Sequence, residues 1–200
     1  MDLFSHLNDG TQNFLPYEGI VNYYGNVIPY STADIYLNNL LESIAWENDS
    51  FYIAGKNITT SRKIAWFGDD VFQLTYSNTN KTGHIWTKEL LELKECVEET
   101  TKETFNSCLL NLYHTGEESL GWHSDSEKGA VASLSLGATR KFVFKHKKTK
   151  EKVAFNLSNV DLLVMKGDTQ ENWLHTVPAT KKINMPRINL TFRTINTKNL

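Results

Sequence analysis

From residue 106 onward the chain is a succession of short strand-like runs, and this succession restricts the fold more than any other feature. The runs are rich in β-branched and aromatic residues and are separated by turns. In order they read SCLLNLY, VASLSL, RKFVFKH, KVAFNL, DLLVM, WLHTV and RINLTFRTI. Seven or more short strands with no long helical pattern between them indicate an antiparallel sandwich or barrel, so we predict a jelly roll here.

The first half of the chain predicts a loop-like segment over residues 14–29, then two helices and a few additional strands. One helix is expected from about 31 to 45, where Ser31 can cap the N-terminus with Asp34 three residues on, and another from about 87 to 103. Aromatic and β-branched residues predict short strands between 50 and 76, followed by a polar loop. The fold class is therefore α+β, with the N-terminal helices packed on one sheet of the jelly roll.

Length and composition are those of a soluble globular protein. The 200 residues are 40% hydrophobic and 22% charged, and we expect one domain over residues 1–200. No apolar run reaches the roughly 18 residues of a membrane span. The N-terminus also lacks the basic patch and apolar core of a secretory signal. Two cysteines are too few for a disulfide framework. We therefore expect no membrane partner and a monomer in the reducing cytoplasm.

The charge of the chain is unevenly distributed. A net charge of −2 excludes a protein that is basic overall and binds nucleic acid through its total charge. Residues 145–152, however, read KHKKTKEK and form a local basic run. Such a run can follow a phosphate backbone, and a solvated hairpin tip is an equally good interpretation. Charge alone leaves both open.

The segment around residues 111–127 carries the first sign of chemistry. His123 and Asp125 lie two residues apart, and on a strand such positions point to the same face. A nitrogen and a carboxylate oxygen that converge in this way suit a redox iron, and a third ligand would complete a two-histidine, one-carboxylate triad. On its own such a pair is more often an exposed strand end or a helix cap than a metal site.

The C-terminal runs supply further polar residues. His175 ends a predicted strand and could reach His123 and Asp125, although a histidine beside apolar residues is often simply a core residue. Arg187 and Arg193 are six apart on one strand and share a face. Buried arginines need anions to neutralise them, and their paired donors fit carboxylates, so a dicarboxylate ligand is indicated. An outer face with glutamate partners is the alternative.

These motifs together resemble the AlkB family of iron(II)/2-oxoglutarate-dependent dioxygenases. The resemblance is carried by NLY at 111–113, HSDSE at 123–127, VASLSLGATRKFVFKH at 131–146, the distal His175 and PRINLTFR at 186–193. Weaker similarity extends back to GIVNYYG at 19–25, so most of the chain is covered. The resemblance implies a double-stranded β-helix, a form of jelly roll. It also implies a substrate-lid region at about 1–105 and a catalytic core at about 106–197.

The cofactor site follows from the same resemblance. His123, Asp125 and His175 match the ligands of iron(II) in the family, with 2-oxoglutarate and O2 as cosubstrates. Five residues on two predicted strands match the 2-oxoglutarate site of the family. Arg187 and Tyr113 match the residues that hold the distal carboxylate. Arg193 and Asn111 match those that hold the carboxylate near the metal, and Asn189 falls within the same motif. Period-two spacing places Asn111 and Tyr113 on one face independently of the resemblance.

The activity implied by the resemblance is oxidative removal of N-methyl groups, of the 1-methyladenine and 3-methylcytosine type, from DNA or RNA. The products are formaldehyde, succinate and CO2, and the role is repair of alkylated nucleic acid. A base inside a duplex cannot reach a metal centre, so the base must be flipped out or come from a single strand. A nuclear or nucleoid-associated location is compatible with this activity.

Substrate residues are also implied position by position. Glu127 matches the acidic residue that reads the exocyclic amine of the base, while Tyr76 and Arg62 match lid residues. Lysines that could contact phosphates are Lys56, Lys145, Lys147, Lys148, Lys181 and Lys182. Duplex-acting relatives have a bulky aromatic finger where this chain has Ile53-Ala54, and a smaller wedge fills a vacated base stack poorly. The chain therefore departs from the pattern expected of a duplex-specific enzyme.

Two other functions remain open at this level. The same oxygenase chemistry could act on a protein or small-molecule substrate, which the modest net charge allows. A binding module without catalysis is the other, and the intact triad and both arginines argue against it.

Overall fold

The computed structural model describes residues 9–53, 56–76, 79–126 and 129–196, which form thirteen strands and three helices. The N-terminal elements are β1 (Ile20–Asn26), α1 (Tyr30–Ser43), β2 (Glu47–Ile53), β3 (Lys56–Gly68), β4 (Phe72–Tyr76), β5 (Thr79–Ile85) and α2 (Lys88–Thr101). The C-terminal elements are β6 (Ser107–Tyr113), β7 (Leu120–His123), β8 (Val131–Gly137), β9 (Arg140–His146), β10 (Lys152–Leu157), β11 (Asp161–Lys166), α3 (Thr169–Asn172), β12 (Trp173–Val177) and β13 (Arg187–Arg193).

The strands assemble into two sheets. The larger has the order β1-β11-β8-β13-β6-β3-β5-β4, with β2 paired to β3, and the smaller has the order β10-β9-β12-β7. An apolar cluster that includes Tyr113 of the larger sheet and Phe144 and Trp173 of the smaller one joins them. This arrangement is the predicted jelly roll. Strands from both sides of residue 105 share the larger sheet, and the domain boundaries stay a prediction.

Alternation along β13 explains how one strand serves two purposes. Every residue of β13 is buried, and Ile188, Leu190 and Phe192 pack into the cluster that also contains residues of both long helices. The intervening residues are polar and face the other way, toward the smaller sheet; they are Arg187, Asn189, Thr191 and Arg193. The space between the sheets is therefore lined with polar groups on this side.

The two long helices cover the apolar side of the larger sheet. Leu40 of α1 and Leu90, Leu93 and Val97 of α2 are fully or nearly fully buried in the same cluster. The hydroxyl of Thr87 caps α2 by accepting a hydrogen bond from the backbone N–H of Leu90 at 3.3 Å. The predicted packing of the N-terminal helices on one sheet is confirmed. In the described ranges, no helix is long and apolar enough to cross a membrane.

Three local predictions were wrong. Helix α1 begins at Tyr30 with Pro29 at the N-cap and no side-chain cap bond, so Ser31 lies inside the helix and does not cap it. The polar stretch expected to be a loop forms β5, which pairs with β4 and, in parallel, with β3. The segment expected to be loop-like before α1 contains β1, which extends the larger sheet by pairing with β11.

Candidate metal and dicarboxylate site

His123, Asp125 and His175 lie together between the two sheets. His123 is the last residue of β7 and stands directly opposite His175 of β12. Their rings are 4.2 Å apart between centroids. One ligand atom from each of the three residues lies within 4.8 Å of the others, a group that could hold a metal ion. Asp125 follows the end of β7, so it reaches the histidines from a loop and not from the strand that the sequence pattern suggested.

The donors of this group are held in defined orientations. Nδ1 of His123 lies 2.8 Å from the carbonyl oxygen of Gly121, which fixes the proton on Nδ1 and leaves Nε2 as the acceptor for a metal. Nε2 of His175 points to Oδ2 of Asp125 at 3.6 Å. Gln170 holds Asp125 twice: its Oε1 accepts from the backbone N–H, and its Nε2 donates to Oδ2. These hydrogen bonds hold the three ligand residues in place beside one another.

The protonation states suit metal binding. Burial tends to raise the pKa of Asp125, but the nearby charges of Arg193 and the histidines outweigh it, so the pKa lies below its usual value. Burial lowers the pKa of His175 to about 3, against the opposing effect of Asp125. At neutral pH the site thus offers a carboxylate and a neutral imidazole, which are the forms that coordinate iron.

Arg187 is buried but only partly satisfied. Its Nη2 donates to Ser135 Oγ at 2.9 Å and to Asn189 Oδ1 at 2.7 Å. Its Nε and Nη1 are buried and have no hydrogen-bond partner among the described residues. Its guanidinium also lies 5.6 Å from the centre of the Tyr113 ring. Burial lowers the pKa of Arg187 to about 10. Buried donors left open in this way are the signature of a site for an anion.

The other residues expected at the cosubstrate surround the metal group. Arg193 donates from Nη2 to Oδ1 of Asp125 at 3.2 Å. Asn189 links two interior strands, because its Oδ1 accepts from Ser133 Oγ at 2.9 Å and its Nδ2 donates to Thr191 Oγ1 at 2.8 Å. Asn111 stands opposite Asn189 in the sheet. The expected residues are therefore together, with Arg187 at one end of the row and Arg193 at the metal end.

A buried charged group on β2, β3 and β5 extends this row. Arg62 bonds both the carboxylate of Asp49 and Oδ1 of Asn111, and Lys81 lies 3.0 Å from the other oxygen of Asp49. The side chains of the three charged residues are between 4% and 12% exposed. Arg62, predicted as a lid residue, is thus buried in the wall beside the predicted cosubstrate residue Asn111.

A cavity of about 820 Å³ opens onto the metal group. Its lining includes the three candidate metal ligands, Arg193, Asn111, Asn189 and Tyr113, together with Asp49, Arg62 and Lys81. Trp66 and Trp122 also border it. The volume lies within the range typical of small-molecule sites and has room for more than a bound dicarboxylate.

The remaining predicted residues lie farther out. Lys56, Lys148, Lys181 and Lys182 are exposed. Lys145 Nζ lies 4.1 Å from the centre of the Trp122 ring, whereas Lys147 Nζ donates to the carbonyl of Gln170 at 2.8 Å and to Ser124 Oγ. Tyr76 ends β4, and its side chain, like Glu127 and Ala54, lies outside what the structure describes.

Several residues of this site were not predicted from the sequence. Asp49, Gln170, Ser133 and Ser135 contact residues that were predicted, and Lys81 contacts Asp49. For the two serines the signal was available, since they alternate with Ala132, Leu134 and Leu136 on β8 and so face the interior. Asp49 and Lys81 lie in segments without a clear period-two pattern, and their pairing depends on the order of strands.

Comparison with known proteins defines the class. The family model described as 2OG-Fe(II) oxygenase superfamily matches residues 12–193, and the chain therefore belongs to this superfamily. Membership confirms the predicted cofactors, which are iron(II) with 2-oxoglutarate and O2 as cosubstrates.

Within the superfamily, the curated relatives are AlkB homologues. The chain is 35% identical over 187 residues to alpha-ketoglutarate-dependent dioxygenase alkB homolog 3 of Homo sapiens, covering 86% of this chain and 65% of that protein. It is 36% identical over 156 residues to DNA oxidative demethylase ALKBH2 of Mus musculus, covering 72% of this chain and 65% of that protein. The resemblance to the AlkB family is thereby confirmed. The chain spans slightly less than two thirds of the length of these relatives.

Solved structures agree with the fold. The structure of OsALKBH1 superposes with a TM-score of 0.64 at 17% identity, covering 92% of this chain and 99% of that one. A prolyl hydroxylase from Trichoplax adhaerens, in complex with a hypoxia inducible factor peptide, superposes with a TM-score of 0.58 at 13% identity, covering 94% and 87%. At these identities the likeness concerns the fold alone, and it confirms the predicted double-stranded β-helix.

Proposed function

We propose that this chain is an iron(II)/2-oxoglutarate-dependent oxidative demethylase that removes N-methyl groups from DNA or RNA. The substrates are bases of the 1-methyladenine and 3-methylcytosine type, and the role is repair of alkylation damage. The observation that carries the proposal is the converged His123, Asp125 and His175 group, which lines the same cavity as the polar β13 residues Asn189 and Arg193. The names of the curated relatives support the nucleic-acid substrate.

The residues present fit the two groups that the proposal requires. Two imidazoles and a carboxylate form the donor set of a non-haem iron site with open positions. The unpartnered Nε and Nη1 of Arg187 are suited to a carboxylate, which would satisfy both donors at once. We therefore assign the metal to the His-Asp-His group and the distal carboxylate of 2-oxoglutarate to Arg187 with Tyr113. Arg193 and Asn111, with Asn189 beside them, serve the carboxylate near the metal.

The side chains of the protein mainly orient the metal ligands and keep water from the site. When bound, iron with 2-oxoglutarate and O2 would supply the oxidation of the N-methyl group, which would leave the base as formaldehyde while 2-oxoglutarate would become succinate and CO2. His123 stays oriented because Nδ1 holds its proton against the Gly121 carbonyl. Gln170 keeps Asp125 from rotating. Phe142 stacks on the His175 ring at 5.3 Å and keeps water from that side of the site.

The cavity supports the proposed position of the substrate base. A flipped base enters from the open side and lies between the metal group and the wall that contains Arg62. Glu127 and Tyr76 are assigned to base recognition from the family resemblance, and the exposed lysines at positions 56, 148, 181 and 182 to phosphates. We expect the protein to act as a monomer in the cytoplasm, or at the nucleoid or nucleus where alkylated nucleic acid lies.

The decisive experiment is turnover with defined substrates. Protein loaded anaerobically with iron(II) would be mixed with 2-oxoglutarate and oligonucleotides carrying 1-methyladenine or 3-methylcytosine, with air then admitted. Mass spectrometry would follow loss of one methyl group, and His123→Ala would serve as the inactive control. Single and double strands of one sequence, as DNA and as RNA, would be compared in parallel.

The outcomes separate the parts of the proposal. Methyl loss with the wild type and not with His123→Ala is the expected result. Succinate formation without methyl loss would retain the oxygenase chemistry and reject these nucleic-acid substrates. Absence of both reactions, with iron bound, would reject the enzyme function.

A further inference from the structure

The outer face of the smaller sheet carries a row of lysines. On β9 and β10, Phe142, Phe144, Val153 and Phe155 pack inward, so the alternate positions face outward. Among the outward residues, Lys145 stands directly opposite Lys152, and Lys141 stands opposite Asn156. The described residues of this face, which are Trp122, Lys141, Val143, Lys145, Lys152, Ala154, Asn156, Leu174 and Thr176, include no carboxylate.

Trp122 lies over the same face. Its side chain is among the large hydrophobic groups that remain exposed, with 40% of the residue accessible, and β7 is an edge strand of the smaller sheet. The ring centre lies 4.1 Å from Nζ of Lys145 and 5.9 Å from Nζ of Lys152, so two cations converge on one aromatic ring. Trp122 also borders the cavity and directly precedes the candidate metal ligand His123.

This arrangement is unfavourable for a surface that binds nothing. Like charges directly opposite each other on neighbouring strands destabilise a sheet, and Lys145 and Lys152 are such a pair. Within the described part of the chain neither lysine forms an ion pair, and their contact with Trp122 offsets only part of the repulsion. An anion between them would remove it. A large exposed aromatic residue is likewise a frequent mark of a binding surface.

We propose that Trp122 with Lys141, Lys145 and Lys152 forms a track for single-stranded polynucleotide next to the cavity. A base that neighbours the target nucleotide stacks on the Trp122 ring, and the phosphates that follow lie along the three lysines. The combination of a stacking platform with a cationic groove is how proteins hold single strands without reading their sequence. The inference rests on the proposed function, because that function makes a nucleic acid the occupant.

The track also distinguishes single from double strands. A base within a duplex has both faces covered by its neighbours, so it cannot stack on Trp122 without leaving the helix. A base in a single strand can. We therefore expect the track to favour single-stranded substrates. The absence of an aromatic residue at Ile53-Ala54 in the sequence favours the same preference.

A binding experiment without iron or methylated bases tests the track by itself. Fluorescence anisotropy would measure the dissociation constants of labelled, unmodified oligothymidylate and oligouridylate for the apo-protein at several salt concentrations. Trp122→Ala should weaken binding about 5- to 150-fold, the range for loss of one stacked base, and Trp122→Phe should restore most of it. Replacing Lys145 and Lys152 together by glutamine should reduce the slope of log affinity against log salt by about 1.4, twice the value per phosphate contact of single strands.

The matched control is Lys88→Gln on α2, whose side chain is 86% exposed and does not line the cavity. This variant should bind like the wild type. Thermal unfolding of each variant would show that it is folded.

Two results would overturn the inference. Unchanged affinity of folded Trp122→Ala would remove the stacking site, and a loss that depends on the lysines but not on Trp122 would leave a general polyanion surface instead. The outcome is independent of the proposed reaction. Methyl loss by an enzyme whose Trp122→Ala variant binds normally would refute the track alone, whereas Trp122-dependent binding without methyl loss would refute the demethylase alone.

Discussion

Tyr113 lies close to two buried arginines, Arg140 and Arg187, that have different surroundings. Arg140 is 5.1 Å from the ring centre, and its Nη1 and Nη2 donate to the backbone carbonyls of Thr115, Gly116, Glu118 and Pro178. Arg187 lies 5.6 Å from the same ring centre, and its Nη1 and Nε have no hydrogen-bond partner among the described residues. The first arginine therefore holds loops together, and the second is arranged to receive a ligand.

The first prediction concerns this difference. Arg187→Lys replaces a planar fork of donors by a single ammonium, so one of the charge-assisted hydrogen bonds to the distal carboxylate of 2-oxoglutarate is lost. Such a bond contributes about 1.5–3 kcal/mol, and we expect KM for 2-oxoglutarate to rise roughly 10- to 150-fold. Succinate formation at varied 2-oxoglutarate concentration measures it.

Arg140→Lys is the control for this measurement. It should lower the free energy of unfolding, since carbonyls that are now bonded would lose their donors, while KM stays near the wild-type value. An equal rise of KM in both variants would mean that the open donors of Arg187 are not the carboxylate site.

The second prediction concerns Asp49, whose carboxylate bonds Arg62 and Lys81 in the cavity wall. Asp49→Asn leaves two buried cations without their counter-ion, and breaking a buried ion pair in this way costs about 3–5 kcal/mol. Urea unfolding would measure the loss of stability. Adding Lys81→Met should recover much of it, because one cation is then removed. If the double variant is no more stable than Asp49→Asn, charge imbalance is not the cause.

At the scale of single elements, period-two patterns were sufficient to predict the bounds of several strands in both sheets. The strands β6, β9, β10 and β12 have the bounds that the sequence indicated, because each alternates against a defined core face. The pattern failed for β5, whose sequence TNKTGHI is polar except for Gly83 and Ile85. It becomes a strand because β3 and β4 offer hydrogen-bonding edges on both sides, which is a tertiary cause that no local sequence contains.

The third prediction concerns the ends of α2. Thr87→Ala removes the cap bond to Leu90 N and should cost about 0.5–2 kcal/mol. At the other end Lys102 has a left-handed backbone with φ of 60°, a conformation that glycine adopts without steric cost. Lys102→Gly should therefore raise the stability by up to about 1 kcal/mol. Thermal unfolding of both variants checks the opposite signs, and a destabilised Lys102→Gly would contradict the argument.

At the scale of the whole molecule, the site forms where the polar inner face of the larger sheet meets the inner face of the smaller sheet. The larger sheet sends apolar residues to the helices and polar ones to the interior, and the smaller sheet brings His123 and His175 to meet them. Strand spacing and the family resemblance together were enough to predict these residues. The wall of Asp49, Arg62 and Lys81 was not predictable as a unit, because its members come from three strands whose adjacency only the fold determines.

The last prediction is the pH dependence of the apo-protein's stability. Burial lowers the pKa of His175 to about 3 from 6.5, so between these values the unfolded chain binds a proton that the folded chain does not. The stability is therefore fully present above about pH 6.5 and falls with decreasing pH, by up to about 1.4 kcal/mol per pH unit. Asp125, whose pKa is also lowered, acts in the same direction at lower pH.

Urea unfolding of the metal-free protein between pH about 7 and about 5 should show this slope. The slope should flatten in His175→Leu and persist in His114→Gln, which changes a histidine outside the site. A slope equally steep in His175→Leu would place its origin in other groups.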